Sequence, residues 1–180
     1  MTSQATRPGG RLIATEPQTP AWHAALEEAL LEVRRERTEP PVFVSMALSS
    51  PCILLGAYQT ALSAELAAWR QKGIDVRRRR TGGPAILIGP DQFSFSLFLP
   101  RPSSCLEQVK LADETMIAAL KELGFPVEAT LRGPEVRATK VGWLTSMADE
   151  RTLLIQGFVY VRNDEGIRRL LNEETTTLWE

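Results

Sequence analysis

Apolar positions in "PAWHAALEEALLEVRRER" (20–37) recur at helical spacing, with Trp22, Leu26, Ala29, Leu30 and Val33 on one face. Its first residue, Pro20, suits a first helical turn, and "EPP" (39–41) ends the helix. The spacing then shortens. "VFVSMAL" (42–48) is strand-like, and "CILLG" (52–56) is a short apolar run closed by glycine. "ALSAELAAWRQKG" (61–73) has helix composition and a glycine stop. "IDVRR" (74–78) and "AILI" (85–88) predict two short strands, with a turn at 89–91. In "FSFSLFLP" (93–100), Phe93, Phe95 and Leu97 face one way, and Ser94, Ser96 and Phe98 the other. A helix is predicted over 103–124, with Ser103 or Ser104 as N-cap and Gly124 as C-cap. Strands follow at about 126–131, 140–146 and 153–161, then a helix over 164–173.

Sequential strands with few helices between them predict an α+β fold, a mixed and largely antiparallel sheet with helices packed on one side. Residues 1–10 read as a flexible tail and 11–180 as a single domain, long enough to bury a core. No repeat, low-complexity segment or interdomain linker interrupts it.

Composition narrows the chemistry. The net charge is −1, which argues against a nucleic-acid-binding domain. The first ten residues carry no apolar signal-peptide core, and no apolar run reaches the length of a membrane helix. Cys52 and Cys105 are the only cysteines, without a CxxC spacing, so reduced thiols in a cytoplasmic protein are expected. Cys52 reads as core. Cys105 reads as a small half-buried residue at a helix start, where a thiolate also gains stabilisation. His23 is the only histidine, which excludes a multi-histidine zinc site. A Ser-His-Asp triad elsewhere in the chain is excluded for the same reason.

Against that neutral background, "VRRRRTGGPAILIG" (76–89) concentrates four arginines before two glycines. Glycine has no Cβ, so Gly82 and Gly83 let peptide N–H groups approach a ligand directly. Arginine adds a fork that matches phosphate or carboxylate. Strand alternation separates Arg77 and Arg79 from Arg78 and Arg80, so about half the run can reach any one pocket. The plainer reading is a solvated strand end followed by a simple turn.

The order of motifs resembles the catalytic domain shared by lipoate–protein ligases, octanoyltransferases and biotin–protein ligases, most of all the lipoate–protein ligase A branch. "RLIATEPQTPAWHAALEEALLE" is similar to the branch's first strand and "aLdEaLL" helix, and "PCILLGAYQ" to its "xxGxxQ" ending. "GIDVRRRRTGGPAILIGPDQFSFSLFLP" resembles the "RRxTGGxAVxH … NxSxxxP" signature. "TKVGWLTS" stands in the place of the "KIxG" lysine motif, "LLIQGFVYV" in that of "xLHHGxLxx", and "ETTTLWE" in that of "VTSLxE". The biotin-ligase "GRGRxGRxW" turn is missing.

This resemblance implies a pocket for a lipoyl or medium-chain fatty acyl group, activated with ATP and Mg as an acyl-adenylate. The acyl group then passes to a lysine of a lipoyl acceptor domain. An accessory ligase domain supplied as a separate polypeptide is a further implied partner. Carried over, Arg79, Thr81, Gly82, Gly83 and Ala85 bind the acyl end and adenylate phosphate. Lys140, with Gly142 beside it, stabilises charge developing in transfer. No other metal site is implied, and Glu135 is the residue nearest to a magnesium ligand. Without the family context, Lys140 reads as an exposed strand-end lysine.

The chain also departs from the pattern. Pro84 removes one N–H from the turn, Ile88 and Gln156 stand where the branch has histidines, the Asn-Asp pair is missing, and "KVG" is one residue tighter than "KIxG". No cysteine stands just before the lysine motif or about thirty residues after it, which disfavours a thiol-dependent octanoyltransferase. Two readings follow. One is an ATP-dependent acyl ligase; the other is a catalytically impaired member that binds a lipoyl-like ligand or acceptor domain without turnover.

Overall fold

A computed structural model of the protein describes residues 3–7, 9–60, 63–90, 92–130, 133–136, 139–140 and 142–160, with side chains for 9–60, 66–90, 92–128 and 142–160. The predicted helix over 164–173 and the "ETTTLWE" motif lie outside the described residues. The fold is α+β, with mixed sheets and helices packed on them.

The first helix, α1 (Pro20–Glu36), begins as its sequence predicts. Thr19 caps it, its side chain accepting from the Trp22 N–H at 3.2 Å, and Pro20 fills the first helical position. Its buried face overlaps the predicted one only in part: Leu26 and Leu30 pack against the core, while Ala29 is exposed. Trp22 and Val33 are exposed, whereas His23, Glu27, Leu31 and Arg34 face inward. Partners for the polar groups make this possible: the Arg34 guanidinium donates to Pro40 O at 2.7 Å and Glu39 O at 3.1 Å.

The main sheet has six strands: β1 (Ser3–Arg7), β2 (Gly10–Ala14), β3 (Val42–Met46), β7 (Gln92–Pro100), β12 (Thr152–Tyr160) and β11 (Gly142–Ala148), in that spatial order. Only β2 and β3 pair in parallel. The sequence predicts a flexible tail over 1–10; Ser3–Arg7 instead pairs antiparallel with Gly10–Ala14. A smaller mixed sheet orders β5 (Asp75–Arg78), β4 (Cys52–Leu55) and β6 (Ile86–Ile88). A third sheet joins β8 (Glu128–Thr130), β9 (Gly133–Val136) and β10 (Thr139–Lys140). Strand β9 has no counterpart in the sequence prediction, and the predicted strand over 140–146 divides between β10 and β11.

Alternation along β7 gives the main sheet two buried faces. Phe98 packs with Leu31 of α1 and with Val44 and Leu154. Phe95, on the other face, packs with Met116, Ile117 and Leu120 of α3 (Cys105–Glu122). Helices thus cover both faces, not one as the sequence predicts, because α1 and α3 each bring an apolar cluster to opposite sides of the same strands. Ser104 caps α3, and Gly124 follows its end at φ 84°, as predicted. Helix α2 (Ser63–Gln71) lays Trp69 on Ile53, Leu55 and Ile74 of the smaller sheet. Among the described residues no helix is long and apolar enough to cross a membrane.

One position fixes the seam between β7 and β12. Gly157 pairs with Phe95, and a Cβ there would lie 2.1 Å from the Phe95 ring. Gly157→Ala is therefore expected to destabilise the fold by roughly 1–3 kcal/mol, the usual cost of overpacking, measured by urea unfolding. An unchanged urea midpoint would rule out this packing.

Candidate functional site

The glycine turn sits between the smaller sheet and the main one, and Arg79 holds it. Arg79 is 4% exposed, and its guanidinium is taken up by the backbone around it. Nη1 donates to Leu54 O at 2.7 Å, Nη2 donates to Gly82 O and Pro84 O at 2.7 Å each, and Nε donates to Thr81 Oγ1 at 3.1 Å. Burial pushes the guanidinium down to about 10, so it remains charged at neutral pH. No carboxylate pairs with it among the described residues.

The other arginines do not converge on this point. Arg77 Nε donates to Asp75 Oδ2 at 2.9 Å. Arg78 Nη1 donates to Gly56 O at 2.7 Å and Gln59 O at 2.6 Å. Arg80 forms a two-bond pair with Glu28 of α1, which holds that carboxyl below the ordinary range. Arg79 alone of the four is buried.

Close packing shapes the turn from the other side. Gly83 has φ 92°, in the left-handed region that favours glycine. Gly56 packs so tightly on it that a Cβ at Gly56 would lie 1.9 Å from Gly83 O. The loop after β4 closes on itself at this point: Gly56 N–H donates to Gln59 Oε1 at 3.3 Å, and Gln59 N–H donates to Gly56 O at 3.1 Å. Ala57 N–H donates to Thr81 O at 2.9 Å. Among the described residues the Gly82 and Gly83 N–H groups donate to no other group. Two unspent N–H groups beside a buried cation suit an anionic ligand atom.

Beneath the turn runs a buried polar chain. Thr81 is fully buried and donates its hydroxyl to Gln156 Oε1 at 2.5 Å. With that proton committed, Thr145 donates to Thr81 Oγ1 at 2.8 Å. The Gln156 Nε2 group donates to Glu27 Oε1 at 2.7 Å, and Ser96 donates to the same oxygen. The sequence reading missed Glu27 and Ser96 as site residues. The signal available was their spacing: Glu27 lies one turn after His23, and Ser96 sits directly across from Gln156. Burial holds the Glu27 carboxyl above its ordinary 4.5, against the two hydrogen bonds that lower it.

This chain borders a cavity of about 40 Å³ between α1, the main sheet and the smaller sheet. Arg79, Ile88 and Gln156 line it, so the two positions where the sequence departs from a histidine pattern meet at one cavity. Gly82 and Gly83 lie beside it, outside its lining. Ala85 packs away from it, with Ile53, Leu55 and Trp69. Gly142 is buried at the start of β11, paired with Val159. Lys140 pairs with Glu135 across β10 and β9; both side chains lie outside the described residues. Among the described residues no cluster of three or more acidic, histidine or cysteine side chains forms a metal site. Cys52 is in the core, its thiol pushed up to about 12 by burial, and neither cysteine lines the cavity.

The chain belongs to the lipoyl protein ligase A/B catalytic domain family, whose model matches residues 19–164. It is 33% identical over 125 residues to an octanoyltransferase LipM of Moorella thermoacetica, covering 66% of this chain and 45% of that protein. The chain thus spans about half the length of the curated relatives it matches. Its fold is similar to that of a bipartite lipoate protein ligase from Thermoplasma acidophilum, solved with its E2 lipoyl domain. The TM-score is 0.71 at 18% identity, over 86% of this chain and 62% of that one. A lipoate-protein ligase A bound with ATP matches with a TM-score of 0.68 at 18% identity, over 87% of this chain and 67% of that one.

Two outcomes follow from this geometry. Gly56→Ala forces the glycine turn to move, so it is expected to weaken any ligand held at Gly82 and Gly83 at least tenfold; calorimetric titration reads this, and unchanged affinity would sever the turn from binding.

The second concerns pH. Glu27 takes up a proton more readily folded than unfolded, so the stability it contributes is present below 4.5 and lost as pH rises through its raised value. Burial lowers His23 from 6.5, so its contribution is present above 6.5 and lost as pH falls. Glu27→Gln keeps an oxygen for both donors and cannot ionise. Its Tm relative to wild type is expected to rise between pH 4.5 and 8, and a difference independent of pH would sink the assignment.

Proposed function

We propose that the chain is the acyl-handling unit of a lipoate–protein ligase-like enzyme. It takes lipoate or octanoate, activated with ATP, and passes the acyl group to a lysine of a lipoyl acceptor domain. The observation that carries this reading is the buried, carboxylate-free Arg79 beside the two unspent N–H groups of Gly82 and Gly83. A buried cation without a counter-ion is costly unless an anion completes it, and an activated carboxyl or phosphate is such an anion. The names of the relatives agree: octanoyl transfer in one, lipoate ligation and an E2 lipoyl domain in another, and ATP bound in a third.

In this mechanism Arg79 acts indirectly. Its donors fix the turn so that Gly82 and Gly83 present their N–H groups to the developing negative charge. Thr81, clamped by Gln156 and Thr145, holds the turn at the correct depth. Lys140 supplies positive charge to the reacting carbonyl and phosphate. Magnesium, where bound, supplies charge neutralisation on the phosphates. An accessory ligase subunit completes the adenylating half of the reaction.

One observation favours a second reading, in which the chain binds the ligand without turnover. Gln156 spends both ends of its amide inside the protein, and Ile88 offers no donor, so this wall gives an adenylate little to bind. Two measurements separate the readings. The isolated chain is expected to bind octanoate or lipoate measurably while releasing pyrophosphate slowly. Given preformed lipoyl-adenylate, it is expected to lipoylate an acceptor domain, and Lys140→Ala to lose two or more orders of magnitude in rate without losing the fold. Equal transfer by both proteins would remove Lys140 from the mechanism. Transfer by neither would leave the binding role.

A further inference from the structure

Tyr58 is 93% exposed, the most of any large hydrophobic side chain among the described residues. It stands at the tip of a turn, Gly56–Gln59, that closes on itself twice. Gln59 N–H donates to Gly56 O at 3.1 Å, and Gly56 N–H donates to Gln59 Oε1 at 3.3 Å. Arg78 grips the same turn, its Nη1 donating to Gly56 O at 2.7 Å, Ala57 O at 3.3 Å and Gln59 O at 2.6 Å. A turn tip favours Gly, Asn, Asp or Ser, whose small size or local hydrogen bonds suit the backbone there. Tyrosine brings neither, and at this exposure it adds almost nothing to the packing of the fold. The sequence thus spends a tightly fastened loop on holding out a bare aromatic ring.

That loop is also fixed to the glycine turn. Ala57 N–H donates to Thr81 O at 2.9 Å, and a Cβ at Gly56 would lie 1.9 Å from Gly83 O. Tyr58 is two residues from Gly56, so its Cα lies within about 8 Å of the Gly56 Cα, and Gly83 is one backbone contact beyond. Gly83 and Pro84 are themselves exposed. The ring is therefore carried at a set distance from the two glycine N–H groups.

We propose that Tyr58 is the anchor on which the acceptor domain docks, seating in a pocket of that partner while the acceptor lysine reaches the glycine turn. The proposal rests on the acyl-transfer reading above and names the docking surface that reading leaves open. Reach decides the occupant. Even a small protein–protein interface of about 600 Å² per partner covers a disc about 14 Å in radius. A partner that delivers a lysine to the turn covers the surface around it, and so covers Tyr58. The base of an adenylate is the weaker occupant, because small-ligand sites are concave and enclose most of the ligand, whereas a turn tip is convex. Tyrosine suits a protein anchor. It buries a large ring while ordering only two side-chain angles, and such residues carry a large share of interface energy.

The test is steady-state transfer from saturating, preformed lipoyl-adenylate to an E2 lipoyl domain by the full chain, with calorimetric titration of lipoate alongside. Tyr58→Ala is expected to raise KM for the lipoyl domain roughly tenfold, leaving kcat and lipoate affinity within about twofold of wild type. Tyr58→Phe is expected to recover most of the loss. At 93% exposure neither change threatens the fold. An unchanged KM overturns the anchor, and so does a fall in kcat alone. Weaker lipoate binding by Tyr58→Ala assigns the ring to the small ligand and overturns it too. A wild-type dimer that Tyr58→Ala dissolves, read by light scattering, makes a second copy the occupant in place of the acceptor. No transfer by wild type overturns the acyl-transfer reading itself, and the docking role with it.

Discussion

The hydrogen-bonded chain from Glu27 through Gln156 and Thr81 to Arg79 ties together the parts of the structure that the site depends on. It joins α1, β12, the glycine turn and the end of β5, elements far apart in sequence. Each proton has one consistent place. Glu27 accepts at Oε1, which orients the Gln156 amide; the amide oxygen then takes the Thr81 proton, and Thr81 can only accept from Thr145 and Arg79. A network satisfied in this way specifies a single arrangement, because reversing any one group leaves a buried donor facing a donor. The turn is held from below by side chains and from behind by the Gly56 backbone, so its two glycine N–H groups need not reorganise when a ligand arrives.

The arginine run shows how a local charge excess can be spent. Three of the four side chains organise exposed features: a strand end, the loop after β4, and the outer face of α1. Surface pairs of this kind contribute little to stability individually. Their effect is positional, because they leave one guanidinium inside without a carboxylate. Arg79 is solvated by carbonyls, which stabilise the cation without neutralising it. The interior beside the turn therefore retains a positive potential toward whatever occupies the cavity mouth.

The elements that were legible in the sequence are those whose signals are local. Thr19-Pro20 starts α1, Ser104 and Gly124 bound α3, and the alternation of β7 assigns its two faces, all from side-chain chemistry within a few residues. The ordered motifs also located the glycine turn and placed Ile88 and Gln156 at one cavity. What escaped was the buried stripe of α1. Hydrophobic periodicity ranks Trp22 and Val33 above His23, Glu27 and Arg34, yet the polar residues are the buried ones. Their burial depends on partners from five to 129 residues away, and nothing in α1 itself announces them. Strand β1 escaped for a related reason, since its pairing with β2 owes nothing to apolar alternation.

Removing imidazoles at positions 88 and 156 does lighten one wall, but Gln156 is not idle: it relays the position of Glu27 to the turn. His23 of α1 and Ser94 of β7 belong to the same lining, with His23 Nδ1 and Ser94 Oγ buried and unpartnered among the described residues. The cavity therefore has Arg79 on one side, with the glycine turn beside it but outside the lining, and aliphatic and aromatic surface from Met46, Leu48, Ile88 and Phe158 around the rest. An amphiphilic chain with a carboxyl-derived group at one end matches the first feature and the apolar walls together.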